Sequence, residues 1–74
     1  MIAFIKGKLA DFQAGAVVLD VGGIGFRIMV PLSLQYHLPP RGSEIMLHTS
    51  LVVRDDGFYL YGFHSENELE FFLM

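Results

Sequence analysis

The sequence predicts an all-β fold: a five-stranded barrel with a short helix between strands three and four and a helix at the C-terminal end. Three observations carry that prediction. Apolar and polar residues alternate with period two over most of the chain. Glycine, proline and aspartate clusters cut it into five runs of strand length. A helical period appears twice, briefly after Pro31 and again after Ser65.

The first strand is read in "MIAFIKGKL". Ala3, Ile5, Gly7 and Leu9 fall on one face, with Ile2, Phe4, Lys6 and Lys8 on the other. A strand beginning at Met1 ties the N-terminus into a sheet. "DFQAG", Asp11 to Gly15, supplies turn chemistry. "AVVLDV" and "IGFRIMV" flank Gly22–Gly23 and read as a hairpin. Phe26, Ile28 and Val30 share one face of its second strand, and Arg27 and Met29 the other. Gly25 within that strand suggests a bulge or a barrel bend where a Cβ would crowd.

Pro31 stops the third strand and suits the first position of a helix of about two turns in "PLSLQYHL". Pro39, Pro40 and Gly42 close that segment. A long strand follows from Glu44 to Val53, with Ile45, Leu47, Thr49, Leu51 and Val53 on one side. The tip "RDDG" leads into the fifth strand, "FYLYGF". Ser65 and Glu68 then form a capping box ahead of Leu69, Phe72 and Leu73. Residues 1–64 are expected to be the barrel, and residues 65–74 the start of a helix leading into a second domain. An apolar helix that stops at Met74 without a cap reads as part of a longer protein. Five strands with a helix between the third and fourth match the order of a five-stranded OB-fold Greek-key barrel.

Composition narrows the function classes. The 74 residues permit one small domain. Cysteine is absent, so there is no disulfide framework or thiolate metal site. The apolar fraction is 53% and mean hydropathy is +0.47, high enough that a partner or further domain is expected to cover part of the surface. No apolar run approaches the roughly 20 residues that span a bilayer. The opening residues do not have the order of a signal peptide, and a cytoplasmic location without membrane contact is expected. Net charge is −3, with five scattered basic residues. Strong nucleic-acid binding draws on phosphate neutralisation, so any such role must be special or shared with other domains.

No catalytic constellation is present in the pattern. Gly23 and Gly25 begin a dinucleotide fingerprint, but the third glycine would fall on Ile28, and a strand follows where a helix is needed. His37, His48 and His64 lie in separate elements without metal-ligand spacing. Ser33, Ser43, Ser50 and Ser65 lack a nucleophile-elbow context. No cofactor is expected. Phe58, Tyr59, Tyr61 and Phe63 crowd one strand. Exposed aromatics on such barrels can stack single-stranded bases, but stacking platforms usually accompany a basic groove. Packing of Tyr59, Tyr61 and Phe63 inside the barrel is the expectation. Asp55 and Asp56 are ordinary turn residues on local chemistry alone.

"DVGGIGFRIMVP", "LVVRDDGFYLYGF" and "MIAFIKGKL" together resemble the N-terminal domain of the RuvA family, over essentially the whole chain. The resemblance implies the non-catalytic, Holliday-junction-binding subunit of a bacterial branch-migration complex. It implies an OB barrel that helps assemble a homotetramer on four-way junction DNA. It also implies a RuvB motor partner, engaged through a C-terminal domain absent here. Asp55 and Asp56 match the family's acidic pin at the junction centre, where Glu-Asp is the frequent pair. Aspartate shortens the reach of the first carboxylate and keeps the charge. Arg54, Lys6, Lys8 and Arg27 become candidate contacts to DNA phosphates. The reading from a different class is an OB-like protein-interaction or oligomerisation module without a nucleic-acid role. A generic single-strand binder comes third and an enzyme last.

Overall fold

The computed structural model describes residues 2–63, so the expected helix over 65–74 lies outside the described residues. The elements run β1 (Phe4–Gln13), β2 (Ala16–Val21), β3 (Ile24–Met29), α1 (Leu32–Gln35), β4 (Glu44–Arg54) and β5 (Gly57–Phe63). They close a barrel in the order β1-β2-β3-β5-β4. All pairings are antiparallel except β3 with β5, which is parallel and matches Ile28 to Leu60 and Met29 to Tyr61. This is the architecture expected of the OB fold.

β1 is longer than the sequence suggests. It continues to Gln13, and the turn shrinks to Ala14–Gly15, with Gly15 at φ 84°. The cause is a register shift between Leu9 and Asp11. The first half of β1 pairs with β4, and its second half pairs with β2. One strand serves both sides of a closed sheet only if it bends, and a bulge supplies that bend. Gly25 does not: β2 and β3 stay in register from Ala16↔Met29 to Val21↔Ile24. A Cβ on Gly25 would meet only Val18 Cγ1 at 3.4 Å. The expected bulge is therefore in β1.

The crowded glycines are Gly7 and Gly62. A Cβ on Gly7 would come within 2.7 Å of the Asp20 carbonyl oxygen. One on Gly62 would come within 2.6 Å of Ile28 Cγ2 and 3.3 Å of Leu47 Cδ1. Both glycines face inward, where the barrel leaves no room for a side chain.

The core follows the period-two pattern. Ile5, Leu9, Val17, Leu19, Ile28, Val30 and Leu47 are buried, while Phe4, Lys6 and Lys8 are exposed. Thr49 is also buried, and its hydroxyl donates to the Ile2 carbonyl at 3.0 Å. Its backbone N–H donates to the Ala3 carbonyl at 3.0 Å. These bonds satisfy a buried polar group and tie the N-terminal segment to β4. The helix is one turn, shorter than expected. Pro31 caps it in an extended conformation, with no side-chain hydrogen bond and no acid in the first turn. One turn still delivers Leu34 to the core at 2% exposure.

The β2–β3 hairpin forms around Gly22 and Gly23 as expected. Their φ values of 62° and 93° are the positive pair that a primed two-residue turn requires. The Asp20 carboxylate accepts from the Gly23 N–H at 2.8 Å.

Gly62→Ala is expected to destabilise the fold by about 1–3 kcal/mol, because the added methyl has no space. Gly25→Ala, facing open surface, is expected to stay within about 0.5 kcal/mol of the parent. Urea unfolding midpoints compare the two, and equal midpoints would mean that the Gly62 site can relax.

Candidate functional site

The β4–β5 hairpin outruns the barrel. Antiparallel register pairs Thr49 with Gly62, Leu51 with Leu60 and Val53 with Phe58 on one face. Burial falls along that face. Thr49 and Gly62 are buried, Leu51 and Leu60 are intermediate, and Val53 and Phe58 are 65% and 75% exposed. Residues on the core-facing side become exposed only where the strands have passed the end of the core. The hairpin therefore carries its turn, Asp55–Asp56, beyond the packed part of the molecule.

The turn is two residues long, between paired Arg54 and Gly57. Neither aspartate has positive φ; Gly57 does, at 150°. A glycine in that place takes the conformation that an L side chain resists. Both carboxylates are free to face solvent, and Asp55 and Asp56 are exposed.

On the other face of the hairpin, Val52 is opposite Tyr59. The Tyr59 hydroxyl donates to Asp56 Oδ2 at 2.9 Å. The Arg54 guanidinium lies 5.8 Å from the centre of the Tyr59 ring, within cation–π range. Among the described residues, no hydrogen bond or ion pair engages the Asp55 carboxylate. The tip thus presents two negative charges, one anchored and one unengaged, beside one arginine. Such a set can repel phosphate or accept hydrogen bonds.

The other basic candidates are elsewhere. Lys6 lies opposite Met46 and Lys8 opposite Glu44, at the far end of β4 from Arg54. That places them roughly 30 Å from the tip along the strand. Lys6 Nζ pairs with Glu44 at 3.4 Å. Both lysines line a cleft of about 340 Å³ with Asp20, Gly22 and Gly23, so its charge is mixed. Arg27 on β3 lines a small cleft with Asp11 and Phe12. Asp11 accepts from Arg41 Nη2 at 2.9 Å, and Arg41 stacks over Phe12 at 5.2 Å. Only Arg54 among the four basic candidates is brought to the acidic turn.

The aromatic expectation requires correction. Tyr59, Tyr61 and Phe63 do share a face, but it is the outer one. Their partners Val52, Ser50 and His48 alternate with the inward Leu51, Thr49 and Leu47. The inward positions of β5 are Leu60 and Gly62, since only a glycine fits between Ile28 and Leu47. Phe63 is buried nonetheless, and Tyr61 and Phe63 line an apolar groove with Met29, Val30 and Pro31. The Tyr59–Asp56 link was missed in the sequence. A two-residue turn placing Arg54 opposite Gly57 also puts Tyr59 on Arg54's face, diagonal to it; that register was the available signal.

Comparison with known proteins gives the family. The family model described as "RuvA N terminal domain" matches residues 1–62. A protein of Pseudomonas syringae pv. syringae named "Holliday junction branch migration complex subunit RuvA" is 46% identical over 72 residues, 97% of this chain and 36% of that relative. Proteins of the same name from Pseudomonas putida and Coxiella burnetii are each 43% identical over 72 residues, again 97% of this chain, with 35% and 36% of the relatives covered. The chain thus spans about a third of the length of the curated relatives it matches. Closed five-stranded barrel, family-model match and sequence identity agree: this chain belongs to the RuvA N-terminal domain family.

Proposed function

We propose that this chain is the barrel and acidic-pin domain of a non-catalytic Holliday-junction-binding subunit. The observation that carries the reading is the exposed Asp55–Asp56 pair on a hairpin that extends past the barrel core. Its partners are four-way junction DNA, further copies of itself in a homotetramer, and a RuvB motor engaged through a domain outside this chain. The setting is the cytoplasm; among the described residues no helix is long and apolar enough to cross a membrane.

The physics is electrostatic steering. Two unit charges about 7 Å apart interact by roughly 0.6 kcal/mol in bulk water, and several-fold more where the effective dielectric is near 20. Screening limits this to about 8 Å at physiological salt, so the tip acts only where strands pass close to it. Carboxylate pairs from several copies, meeting at one centre, would sum to a few kcal/mol. That is comparable with the roughly 1.4 kcal/mol of a base-pair step. Such a charge discourages strands from re-pairing across the centre and guides them into new duplexes. Affinity then comes from basic groups elsewhere, which fits a domain whose net charge is −3.

An interaction module without a nucleic-acid role draws support from exposed apolar residues on the β1–β4 surface, Phe4 at 57% and Met46 at 44%. It treats the aspartates as interchangeable turn residues. The test is Asp55→Asn with Asp56→Asn in the intact natural protein. Folding should be unchanged, because both side chains are exposed. Selectivity for junction over duplex, or the rate of branch migration, should change several-fold. Junction processing indistinguishable from the parent would remove the pin reading.

Arg54→Ala is expected to weaken junction binding similarly across DNA sequences. It should lower the slope of log affinity against log salt by about one for each phosphate that Arg54 neutralises. Lys6→Ala should lower it less, since Lys6 already pairs with Glu44. Equal slopes for Arg54→Ala and the parent would take Arg54 out of the phosphate-binding set.

A further inference from the structure

Asp55 and Asp56 are chemically identical and adjacent, yet their surroundings differ. Asp56 receives the Tyr59 hydroxyl at 2.9 Å. The same ring has the Arg54 guanidinium 5.8 Å from its centre. Tyr59 sits two residues past Gly57, diagonal to Arg54 on the same face of the hairpin. Asp55 engages no described side chain. An exposed aspartate ordinarily moves among rotamers, and its charge is spread over the volume it visits. A donor on a ring fixed within a β-strand restricts that motion.

We propose that Tyr59 is the positioning residue of the acidic tip. Its hydroxyl fixes the Asp56 carboxylate at a defined place on the Arg54 side of the hairpin. Its ring holds the guanidinium on the same face of the hairpin, 5.8 Å from the ring centre. Asp55 is left mobile as the carboxylate that meets the nucleic acid first. The two aspartates therefore do different work: Asp56 is a fixed charge with an arginine neighbour, and Asp55 is an adaptable one. This rests on the reading of the turn as a pin, and it divides the pin's labour between its two residues. On the opposite face Val53 and Phe58 are apolar and exposed, so no other polar group competes for Asp56 there.

Tyr59→Phe separates the two roles, because it removes the hydroxyl and keeps the ring under Arg54. Tyr59→Leu removes both. The first readout is structural: three-bond side-chain couplings of Asp55 and Asp56 by NMR in the 74-residue chain. The expected result is one dominant Asp56 rotamer in the parent and averaging in Tyr59→Phe, with Asp55 averaged in both. The second readout is junction selectivity of the intact protein. Tyr59→Phe should cost up to about five-fold, the factor associated with one net hydrogen bond. It should add nothing once Asp56→Asn is present, whereas it should add to Asp55→Asn. Tyr59→Leu should in addition reduce the salt slope, through loss of the arginine's platform.

An ordered Asp56 in Tyr59→Phe, or equal losses from Tyr59→Phe in the Asp55→Asn and Asp56→Asn backgrounds, would overturn the proposal. If Asp55→Asn and Asp56→Asn both leave junction processing intact, the pin reading fails. The couplings then decide on their own whether Tyr59 anchors Asp56.

Discussion

The shape of this domain depends on a steric constraint at Gly62. There β5 passes so close to β3 and β4 that a Cβ would lie 2.6 Å from Ile28 and 3.3 Å from Leu47. Ile28 is also one of the two residues through which β3 meets β5 in the parallel seam. Closing the barrel and omitting the side chain are thus one event. The close approach fixes which residues of β5 face inward, because a slip of one residue would drive Tyr61 or Phe63 into that space. With the register set, β4 and β5 run side by side past the end of the core, and the turn between them is fixed in position. The acidic tip is placed by a glycine at the other end of its own strand.

Charge and exposed apolar surface are distributed unevenly over the described residues. The tip concentrates carboxylates beside Arg54, while the other four basic residues lie away from it, and two of those are already engaged with acids. A surface built this way does not attract nucleic acid through its net field. The outer sheet surface, meanwhile, retains Phe4, Met46 and Met29 at intermediate to high exposure. That accounts for a hydropathy higher than a lone domain of this size needs.

The small core is economical with polar groups. Thr49 is the buried polar residue of the described core, and both its hydroxyl and its amide are satisfied by the N-terminal segment. A valine there would pack, but it would leave the Ile2 carbonyl without that donor. The link between the first residues and the strand that carries the tip is therefore a hydrogen-bonded one, specific in register where apolar packing alone would permit sliding.

Much of this was legible in the sequence. Alternation identified the strands and the buried face of β1, since the period of a strand is a local property. Gly22–Gly23 marked its hairpin, because positive φ is a demand on individual residues. The Asp55–Asp56 turn and its exposure followed from the same local chemistry. Other features were decided only by tertiary structure. Gly25 looked like the bend, but the bend lies between Leu9 and Asp11, because the sheet curves where one strand must pair on both sides. Tyr59, Tyr61 and Phe63 were correctly grouped on one face, but it is the outer face, on which Phe63 is buried and the two tyrosines are half-buried. Alternation says which residues share a face, and only the packing of the opposite strands says which face is inside. The bond from Tyr59 to Asp56 likewise needed the register of the turn. Periodicity and turn chemistry belong to the chain; the choice of interior, and the contacts between side chains across strands, belong to the closed barrel.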